Sequence, residues 1–293
     1  MRRAALGLGA LALLAGAAGL WITRAEGLGG SAKAAIAAAP ADAALGEQVF
    51  WAAGCASCHA AEDAEGEARL VLEGGQRFAS DFGTFVAPNV STDPVHGIGA
   101  WTPEQFADAV QRGVSPEGAH YYPAFPYTAY ALMEPPEVAA LWAFWQTLPA
   151  SDAASQPHEV GFPFSIRRGV GAWKMLYAGR GYVVEEESRG RHLVEAMGHC
   201  GECHTSRDPI GGLRRSAWLQ GAPNPDGEGR VPAIAGLDWS EAEIASYLAD
   251  GFTPEFDVAA GSMASVVKNL SHLPDEDRLA IARYVKAVPA AVE

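Results

Sequence analysis

The chain has 293 residues, enough for two domains that each bury a core of their own. It carries 35 acidic residues against 21 basic ones, a formal net charge of −14. Such a surface argues against nucleic acid and anionic lipid as partners bound by charge, and it permits a steered encounter with a basic protein. All four cysteines fall in two Cys-x-x-Cys-His strings, so none remains for a disulfide, a nucleophile or a further metal ligand.

Residues 1–27 have the pattern of a membrane anchor that is not cleaved. After two arginines, residues 4–22 form an uncharged run of 19 residues, close to the roughly 20 that cross a bilayer as a helix. The run ends in Trp21 and Ile22, whereas a signal peptide ends in small residues before its cleavage site. The arginines favour a cytoplasmic N-terminus. We expect a membrane helix that holds the chain on the periplasmic side of the inner membrane, with a cleaved periplasmic form as the alternative.

The rest of the chain contains an internal repeat, which predicts two copies of one small helical domain. Thr102 and Ser240 each precede acidic residues and an apolar-periodic run, the pattern of a capped helix start, and they lie 138 residues apart. Gly113 and Gly251 are separated by the same distance. No alternating run of Val and Ile indicates a sheet, so the predicted class is all-α. The predicted order is a tether at 28–44, a first domain at 45–150, a connecting segment at 151–188 and a second domain at 189–293.

Each half carries one Cys-x-x-Cys-His string. The strings are Cys55, Cys58 and His59 in the first half, and Cys200, Cys203 and His204 in the second. Two thiols on one helical turn reach the two vinyl groups of a haem and form thioethers, and the adjacent imidazole binds the iron. Zinc needs four ligands where each string offers at most three, and a thioredoxin-like pair would occur once, in a βαβ setting. The strings therefore predict two covalently bound haem c groups.

The sixth iron ligand of such a domain is commonly a Met, sometimes a His, before the last helix. In the second half Met263 stands in this position, within a glycine-rich stretch. In the first half the repeat places Phe125 there, and a phenyl ring does not bind iron. Met133, eight residues further on, is the first choice. His120 is the alternative, His96 a weaker one, and an open iron shielded by Phe125 is the third possibility.

Four further strings, taken together with the two haem motifs, carry a family resemblance. They are Pro-Asn-Val-Ser-Thr-Asp at 88–93, Tyr-Pro-Ala-Phe-Pro-Tyr at 122–127, Gly-Gly-Leu at 211–213 and Asn-Pro-Asp-Gly at 224–227. With them the chain resembles bacterial membrane-anchored two-haem cytochromes c, and it is similar to the cytochrome c subunits of alcohol and aldehyde dehydrogenase complexes. Those subunits carry three haem motifs, and many have Met where this chain has Phe125. The resemblance implies two tandem class I cytochrome c-like domains.

The resemblance also implies electron transfer from haem to haem, from a periplasmic or membrane dehydrogenase toward a cytochrome or oxidase of the respiratory chain. The alternative is a two-haem enzyme, peroxidase-like, that uses an open first iron. A thiosulfate dehydrogenase of the two-haem kind needs a Cys ligand, and this chain has no cysteine to spare. A haem-based sensor would carry a signalling domain, which the sequence does not show. We therefore predict an electron carrier with no catalytic residues of its own.

Overall fold

The computed structural model describes residues 2–224 and 229–290, without the side chains of residues 2–5 and 7–12. The described chain is mostly helical, as predicted. Its strands form two antiparallel pairs, β1 (Arg77–Phe78) with β2 (Phe85–Val86), and β3 (Ala222–Pro223) with β4 (Arg230–Val231). Each strand has only two residues, so helices supply the core.

The first half is built around the crossing of two helices. Its helices are α1 (Arg2–Ile22), α2 (Gly30–Ala38), α3 (Ala43–Ala52), α4 (Cys55–His59), a 3₁₀-helix (Gly66–Leu70), α5 (Pro103–Arg112), α6 (Tyr127–Tyr130) and α7 (Pro135–Trp145). Helix α3 crosses α7 at Gly46, where a Cβ atom would lie 2.0 Å from the carbonyl oxygen of Ala140. Phe50 of α3 is fully buried and contacts the rings of Phe144 and Trp145 on α7. Glycine at the crossing therefore lets the two backbones touch, and aromatic rings fill the space beside it.

The second half is built around a crossing of the same kind. Its helices are α8 (Gly169–Tyr177) in the connecting segment, α9 (Arg189–Arg191), a π-helix (His192–Met197), α10 (Gly201–His204), a 3₁₀-helix (Arg215–Ala217), α11 (Glu241–Asp250), α12 (Ser262–Leu270) and α13 (Asp275–Ala287). A Cβ atom on Gly190 would lie 2.0 Å from the carbonyl oxygen of Ala280 on α13. This is the contact that Gly46 makes with Ala140 in the first half.

The two helix starts predicted from the sequence are confirmed. Thr102 and Ser240 each cap their helix, α5 and α11, in a capping box, in which the hydroxyl accepts a backbone N–H and a side chain three residues on bonds back. The same helices end at Gly113 and Gly251, which take left-handed conformations with φ of 58° and 81°. The 138-residue spacing of the sequence therefore corresponds to one helix with the same start and the same end in each half.

The π-helix accounts for one residue that the second half has in excess. Gly46 and Gly190 are 144 residues apart, whereas Cys55 and Cys200 are 145 residues apart. Within the π-helix region the backbone N–H of Gly198 bonds to the carbonyl five residues earlier, at 2.6 Å. Such a wide turn accommodates one inserted residue without ending the helix. The second half therefore takes up its extra residue in the segment that leads to Cys200.

The segment 28–44, predicted as a tether, packs against the first half. Its helix α2 buries Ile36. The backbone N–H of Leu28 and the ammonium group of Lys33 both bond to the carboxylate of Asp108 on α5, at 2.6 and 2.7 Å. The short Ala and Gly side chains of this segment allow its helix to lie close to its neighbours.

Helix α1 occupies the segment predicted to cross the membrane. Among the helices that the structure describes with their side chains, none has both the length and the apolarity that a membrane crossing requires. Many side chains of α1, those of residues 2–5 and 7–12, lie outside the described set. At the other end of α1, Arg168 of the connecting segment bonds to the backbone carbonyl of Leu20 and, at 3.2 Å, to the hydroxyl of Thr23. The end of α1 is therefore fixed to the connecting segment.

Candidate haem sites

The thiols of both strings are held on short helical turns. Gly54 (φ 69°) precedes Cys55, and His199 (φ 39°) precedes Cys200, so a left-handed residue starts each turn. Burial raises the pKa of the Cys55 and Cys200 thiols to about 12, and that of Cys58 to about 11. A thioredoxin-like pair has a lowered thiol pKa. The raised pKa values of these three thiols therefore favour the haem interpretation of the strings over that of a reactive redox pair.

The imidazole of each string is held by a proline carbonyl. His59 Nδ1 lies 3.0 Å from the carbonyl oxygen of Pro88, and His204 Nδ1 lies 2.8 Å from that of Pro232. A carbonyl oxygen only accepts, so Nδ1 carries the proton and donates it, and the lone pair of Nε2 is left for a metal. Burial lowers the pKa of both imidazoles, which keeps them neutral. Two thiols and a neutral imidazole with Nε2 available are the groups that haem c requires, so both strings fit it.

The loop that supplies each proline carbonyl is fixed against its own string. The backbone N–H of Gly74 bonds to the carbonyl of His59, and that of Gly221 to the carbonyl of His204, each at 2.8 Å. Both glycines are left-handed, and a Cβ atom on them would lie 2.5 Å and 2.8 Å from the nearest backbone oxygen of the proline loop. Only glycine suits such a position. The geometry of the imidazole is thus set by backbone contacts that are the same in the two halves.

The positions expected to supply the sixth ligands differ between the halves. Met263 is the second residue of α12, follows the left-handed Gly261, and is partly buried against the core. Phe125, its counterpart in the first half, is partly buried among tyrosines, with its ring centroid 5.7 Å from that of Tyr130. These contacts do not test iron binding, so Met263 stays a prediction.

Met133, predicted as the first-half ligand, lies in the core. Its exposed fraction is 4%, and its carbonyl accepts a hydrogen bond from Gln111 at 2.8 Å. The contacts of Ala140 and Ala280 align the last helices of the two halves, and the same alignment pairs Met133 with Leu273, which is 3% exposed. An apolar side chain without a ligand atom thus fills this position in the other half. The assignment of Met133 stays a prediction.

The two histidine candidates have other partners. His120 is 5% exposed, and its Nε2 lies 3.0 Å from the backbone carbonyl oxygen of Thr23, at the end of α1. The Nδ1 atom of His96 lies 3.4 Å from a carboxylate oxygen of Asp93. Both remain predictions as alternatives to Met133, and ligation by either would require these contacts to break.

The structure brings the two strings to the boundary between the halves, which the sequence did not predict. In the first string, the hydroxyl of Ser57 accepts a hydrogen bond from the amide of Asn269 on α12, at 2.6 Å. The amide oxygen of Asn269 in turn accepts from the buried Arg69, at 2.6 Å. On the other side of the boundary, α6 of the first half and Glu202 of the second string line one cleft. Asn269 has an exposed fraction of 1%, and no local pattern in the sequence indicates this contact.

Comparison with known proteins decides the family. A family model described as Cytochrome c matches residues 43–149. A protein of Cereibacter sphaeroides named Diheme cytochrome c-type is 56% identical over 99% of this chain and 99% of its own length. This chain belongs to the cytochrome c family. The relationship confirms the resemblance found in the sequence and the prediction of two covalently bound haem c groups.

Subunits of dehydrogenases are also similar to this cytochrome. The fructose dehydrogenase cytochrome subunit of Gluconobacter japonicus is 37% identical over 85% of this chain and 53% of its own length. The alcohol dehydrogenase (quinone) cytochrome c subunit of Gluconobacter oxydans is 32% identical over 85% and 55%. The cytochrome thus spans about half the length of these subunits. The predicted role in electron transfer, rather than in catalysis, is confirmed, and the peroxidase-like alternative has no support among the relatives.

Proposed function

We propose that this cytochrome receives electrons from a dehydrogenase and passes them through both haems toward the respiratory chain. The observation that carries the proposal is the pair of equivalent strings at one boundary, each with an imidazole fixed by a proline carbonyl. Bound haem supplies the one-electron oxidation and reduction. The protein holds the proton of each imidazole at Nδ1 and brings the two strings to one boundary, so electrons would have a short route between the halves.

We assign the haem ligands as the sequence predicts. Covalent attachment is assigned to Cys55, Cys58, Cys200 and Cys203, and iron ligation to His59, His204, Met263 and Met133, with His120 as the alternative to Met133. The string pattern and the imidazole geometry support the first six residues, and the repeat supports Met263. Mass spectrometry of the denatured protein tests the attachment, with two haem masses expected on the chain. The double variant Cys200→Ala with Cys203→Ala should retain one, and retention of two would contradict the assignment.

Membranes from bacteria that have or lack the full chain test the proposed pathway. The relatives' names suggest fructose, an alcohol and gluconate as substrates for the assay. We expect oxygen uptake with at least one of them to fall by about tenfold without the cytochrome, an estimate for loss of a main carrier. The Cys200→Ala, Cys203→Ala variant should not restore it. Unchanged uptake with every dehydrogenase substrate of these membranes would contradict the pathway.

We also propose that the halves, at 45–150 and 189–293, are duplicated class I cytochrome c-like domains joined by residues 151–188. The crossing glycines, the paired capping boxes and the two proline carbonyls support this proposal, since each recurs at matching positions. Limited proteolysis of the holoprotein provides a test. Cleavage within the connecting segment should release two fragments with one haem each, and two haems on a single fragment would contradict it.

For localisation we propose the periplasmic side of the inner membrane, with α1 as the anchor and a cleaved periplasmic form as the alternative. The uncharged run of residues 4–22 and the interfacial type of Trp21 support the anchor. Washing of membranes with alkaline carbonate, followed by mass analysis of the N-terminus, tests it. An intact N-terminus retained in the membrane pellet is expected. Release of the full-length chain by carbonate would contradict the anchor.

A further inference from the structure

A hairpin in the second half, residues 251–259, repeats a hairpin of the first half, residues 113–121. Three backbone hydrogen bonds define each of them. In the second hairpin the backbone N–H groups of Ala259, Thr253 and Phe256 donate to the carbonyls of Gly251, Asp257 and Thr253, respectively. In the first hairpin those of Tyr121, Ser115 and Gly118 donate to the carbonyls of Gly113, Ala119 and Ser115. All six bonds measure 2.8 to 2.9 Å. Every donor and acceptor of one hairpin is 138 residues from its counterpart in the other. The two hairpins therefore have the same backbone, and a difference between them lies in their side chains and surroundings.

The first hairpin is covered by the chain itself. Val114 and His120, which pair across it, are 6% and 5% exposed. The imidazole of His120 bonds to the carbonyl of Thr23, and a Cβ atom on Gly171 of α8 would lie 2.9 Å from it. Residues after α1 and residues of the connecting segment thus lie directly on this surface.

The second hairpin carries larger apolar side chains and has no such cover among the described residues. Phe252 and Val258, the counterparts of Val114 and His120, are 53% and 57% exposed, and Phe256 at the turn is 89% exposed. Burial of large apolar groups stabilises proteins, so three of them in solvent on one hairpin mark an interaction surface.

The backbone of Phe256 is left-handed. Its φ is 64°, and that of its counterpart Gly118 is 77°. Glycine adopts this left-handed conformation freely, whereas a bulky side chain is strained in it. The turn thus displays an aromatic ring at a position where glycine would be more stable and where the ring gains almost no burial. Strain of this kind occurs at functional positions.

The charges around the hairpin select the partner. Asp250, Glu255 and Asp257 surround the apolar side chains and are exposed, and no Lys or Arg occurs from residue 249 to residue 267. A second copy of the chain would place its own carboxylates against these, and like charges repel. An anionic membrane would repel them for the same reason. A protein with an apolar centre and a rim of Lys and Arg is complementary in both respects.

We propose that the hairpin 251–259 is the docking surface for a basic redox protein that exchanges electrons with the second haem. Met263, assigned as the ligand of that haem, follows the hairpin by four residues. A partner seated on the hairpin would therefore lie next to the segment that carries the proposed iron ligand. The proposal rests on the proposed electron-transfer function and adds the surface and the chemistry of its partner.

The test is the rate at which reduced holoprotein is oxidised by a soluble, lysine-rich monohaem cytochrome c, followed by stopped flow. Phe256→Gly copies Gly118, so the fold should be kept, and we expect its second-order rate constant to fall about tenfold, the effect of losing a central interface residue. Glu255→Gln should slow the reaction about threefold at low ionic strength and not at high salt, because surface charges steer encounter. Phe162→Ala removes an equally exposed aromatic ring, 84% exposed, from the connecting segment and should leave the rate unchanged.

Three outcomes would overturn the docking surface. The first is that Phe256→Gly reacts at the same rate as the wild type. The second is that the wild-type protein does not react with the basic probe. The third is that Phe256→Gly alters the methionine–iron absorption band, which would mean that the ring packs on haem. A redox titration of each variant with small mediators separates this proposal from the carrier function. Two reversible one-electron steps with a failed docking test would refute only the surface, whereas their absence in the wild type would refute the carrier function itself.

Discussion

The two halves share a backbone plan and differ in the charge that each buries beside its haem string. The first half buries the guanidinium group of Arg69 and the second buries the carboxylate of Glu195, with exposed fractions of 7% and 4%. A buried positive charge favours reduced over oxidised iron, and a buried negative charge has the opposite effect. Equivalent strings can therefore have different reduction potentials, which are set by residues outside the motif.

Arg69 is connected to the first string through the second half. It donates to the amide oxygen of Asn269, whose own N–H group donates to Ser57, between Cys55 and Cys58. Burial lowers the pKa of Arg69, yet a guanidinium group stays protonated throughout the physiological range. The Nε atom of Arg69 has no hydrogen-bond partner among the described atoms. The first string thus has a fixed positive charge two hydrogen bonds away.

Glu195 is connected to the second string through aromatic side chains. It accepts hydrogen bonds from the backbone N–H groups of residues 183–184 and, at 2.5 Å, from the hydroxyl of Tyr284. That hydroxyl accepts from the indole N–H of Trp218 at 2.9 Å. The Trp218 ring packs on the second string, since a Cβ atom on Gly201 would lie 2.1 Å from it. Three donors replace the water that would otherwise solvate this carboxylate.

Replacement of the crossing glycines is expected to have the largest effect. Gly46→Ala and Gly190→Ala each place a methyl group 2.0 Å from a carbonyl oxygen, so helices must separate. We expect each to lower the free energy of unfolding by about 3 kcal/mol or more. Denaturant titration of the holoprotein measures it, with Gly30→Ala, which has no neighbour within 4 Å, as the control. A loss at only one crossing would show that the halves do not depend on the same contact.

The next comparison is between Met133 and Leu273. Met133→Ala and Leu273→Ala should each lower the free energy of unfolding by about 2–5 kcal/mol, because both remove a buried apolar side chain. If Met133 ligates the first iron, as the sequence predicts, its replacement should also remove one methionine–iron absorption band, as Met263→Ala should for the second haem. Leu273→Ala is the matched control and should keep both bands. A Met133→Ala spectrum like that of Leu273→Ala would remove Met133 from the ligand set.

A smaller effect is expected from the two buried charges. Arg69→Gln should lower the midpoint potential of the first haem, and Glu195→Gln should raise that of the second. Each shift should be on the order of tens of millivolts, where about 59 mV corresponds to a tenfold change in electron affinity. Spectroelectrochemical titration measures both potentials. Arg77→Gln removes an exposed arginine and is the control, since solvent screens its charge. Shifts of the opposite sign would contradict the electrostatic difference between the halves.

The smallest expected effects concern the helix caps. Thr102→Ala and Ser240→Ala each remove a hydroxyl that accepts a backbone N–H at 3.2 Å, and each should cost about 1 kcal/mol of unfolding free energy. Ser246→Ala, within α11, should be neutral or slightly stabilising because alanine has the higher helix propensity. Chemical denaturation of the three variants measures the difference. Equal losses would show that the two helix starts contribute alike, and no loss at either would contradict the role of the capping boxes.

Local patterns predicted much of this fold. The strings and the capped starts at Thr102 and Ser240 depend on neighbouring residues, so their spacing was sufficient to find them. The all-α class followed from the same helical periodicity. The imidazole geometry was only partly predictable, because the prolines were visible in the sequence but the orientation of their carbonyls was not.

Contacts between distant residues were not predictable. Arg69 and Asn269 are 200 residues apart and belong to different halves, and no pattern in either segment indicates the other. The inserted residue of the π-helix changes the repeat spacing from 144 to 145 residues. A comparison of the two strings alone does not show where in the chain this residue is added. His120 was considered as a ligand because of its residue type, and only the folded chain shows that its ring meets Thr23.

The docking of residues 28–44 on the first half has a consequence for the reach of the molecule. Arg168 bonds to the hydroxyl of Thr23, and Asp108 accepts a hydrogen bond from the backbone N–H of Leu28. Only a short part of the chain between α1 and α2 is therefore without such a contact. Fully extended, the seven residues 23–29 would span only about 25 Å. With α1 as the anchor proposed above, so short a connection would let the two halves move through only a small volume. Electron donors and acceptors would then have to diffuse to the cytochrome or lie beside it, and the frequency of productive collisions would depend on their mobility rather than on its own.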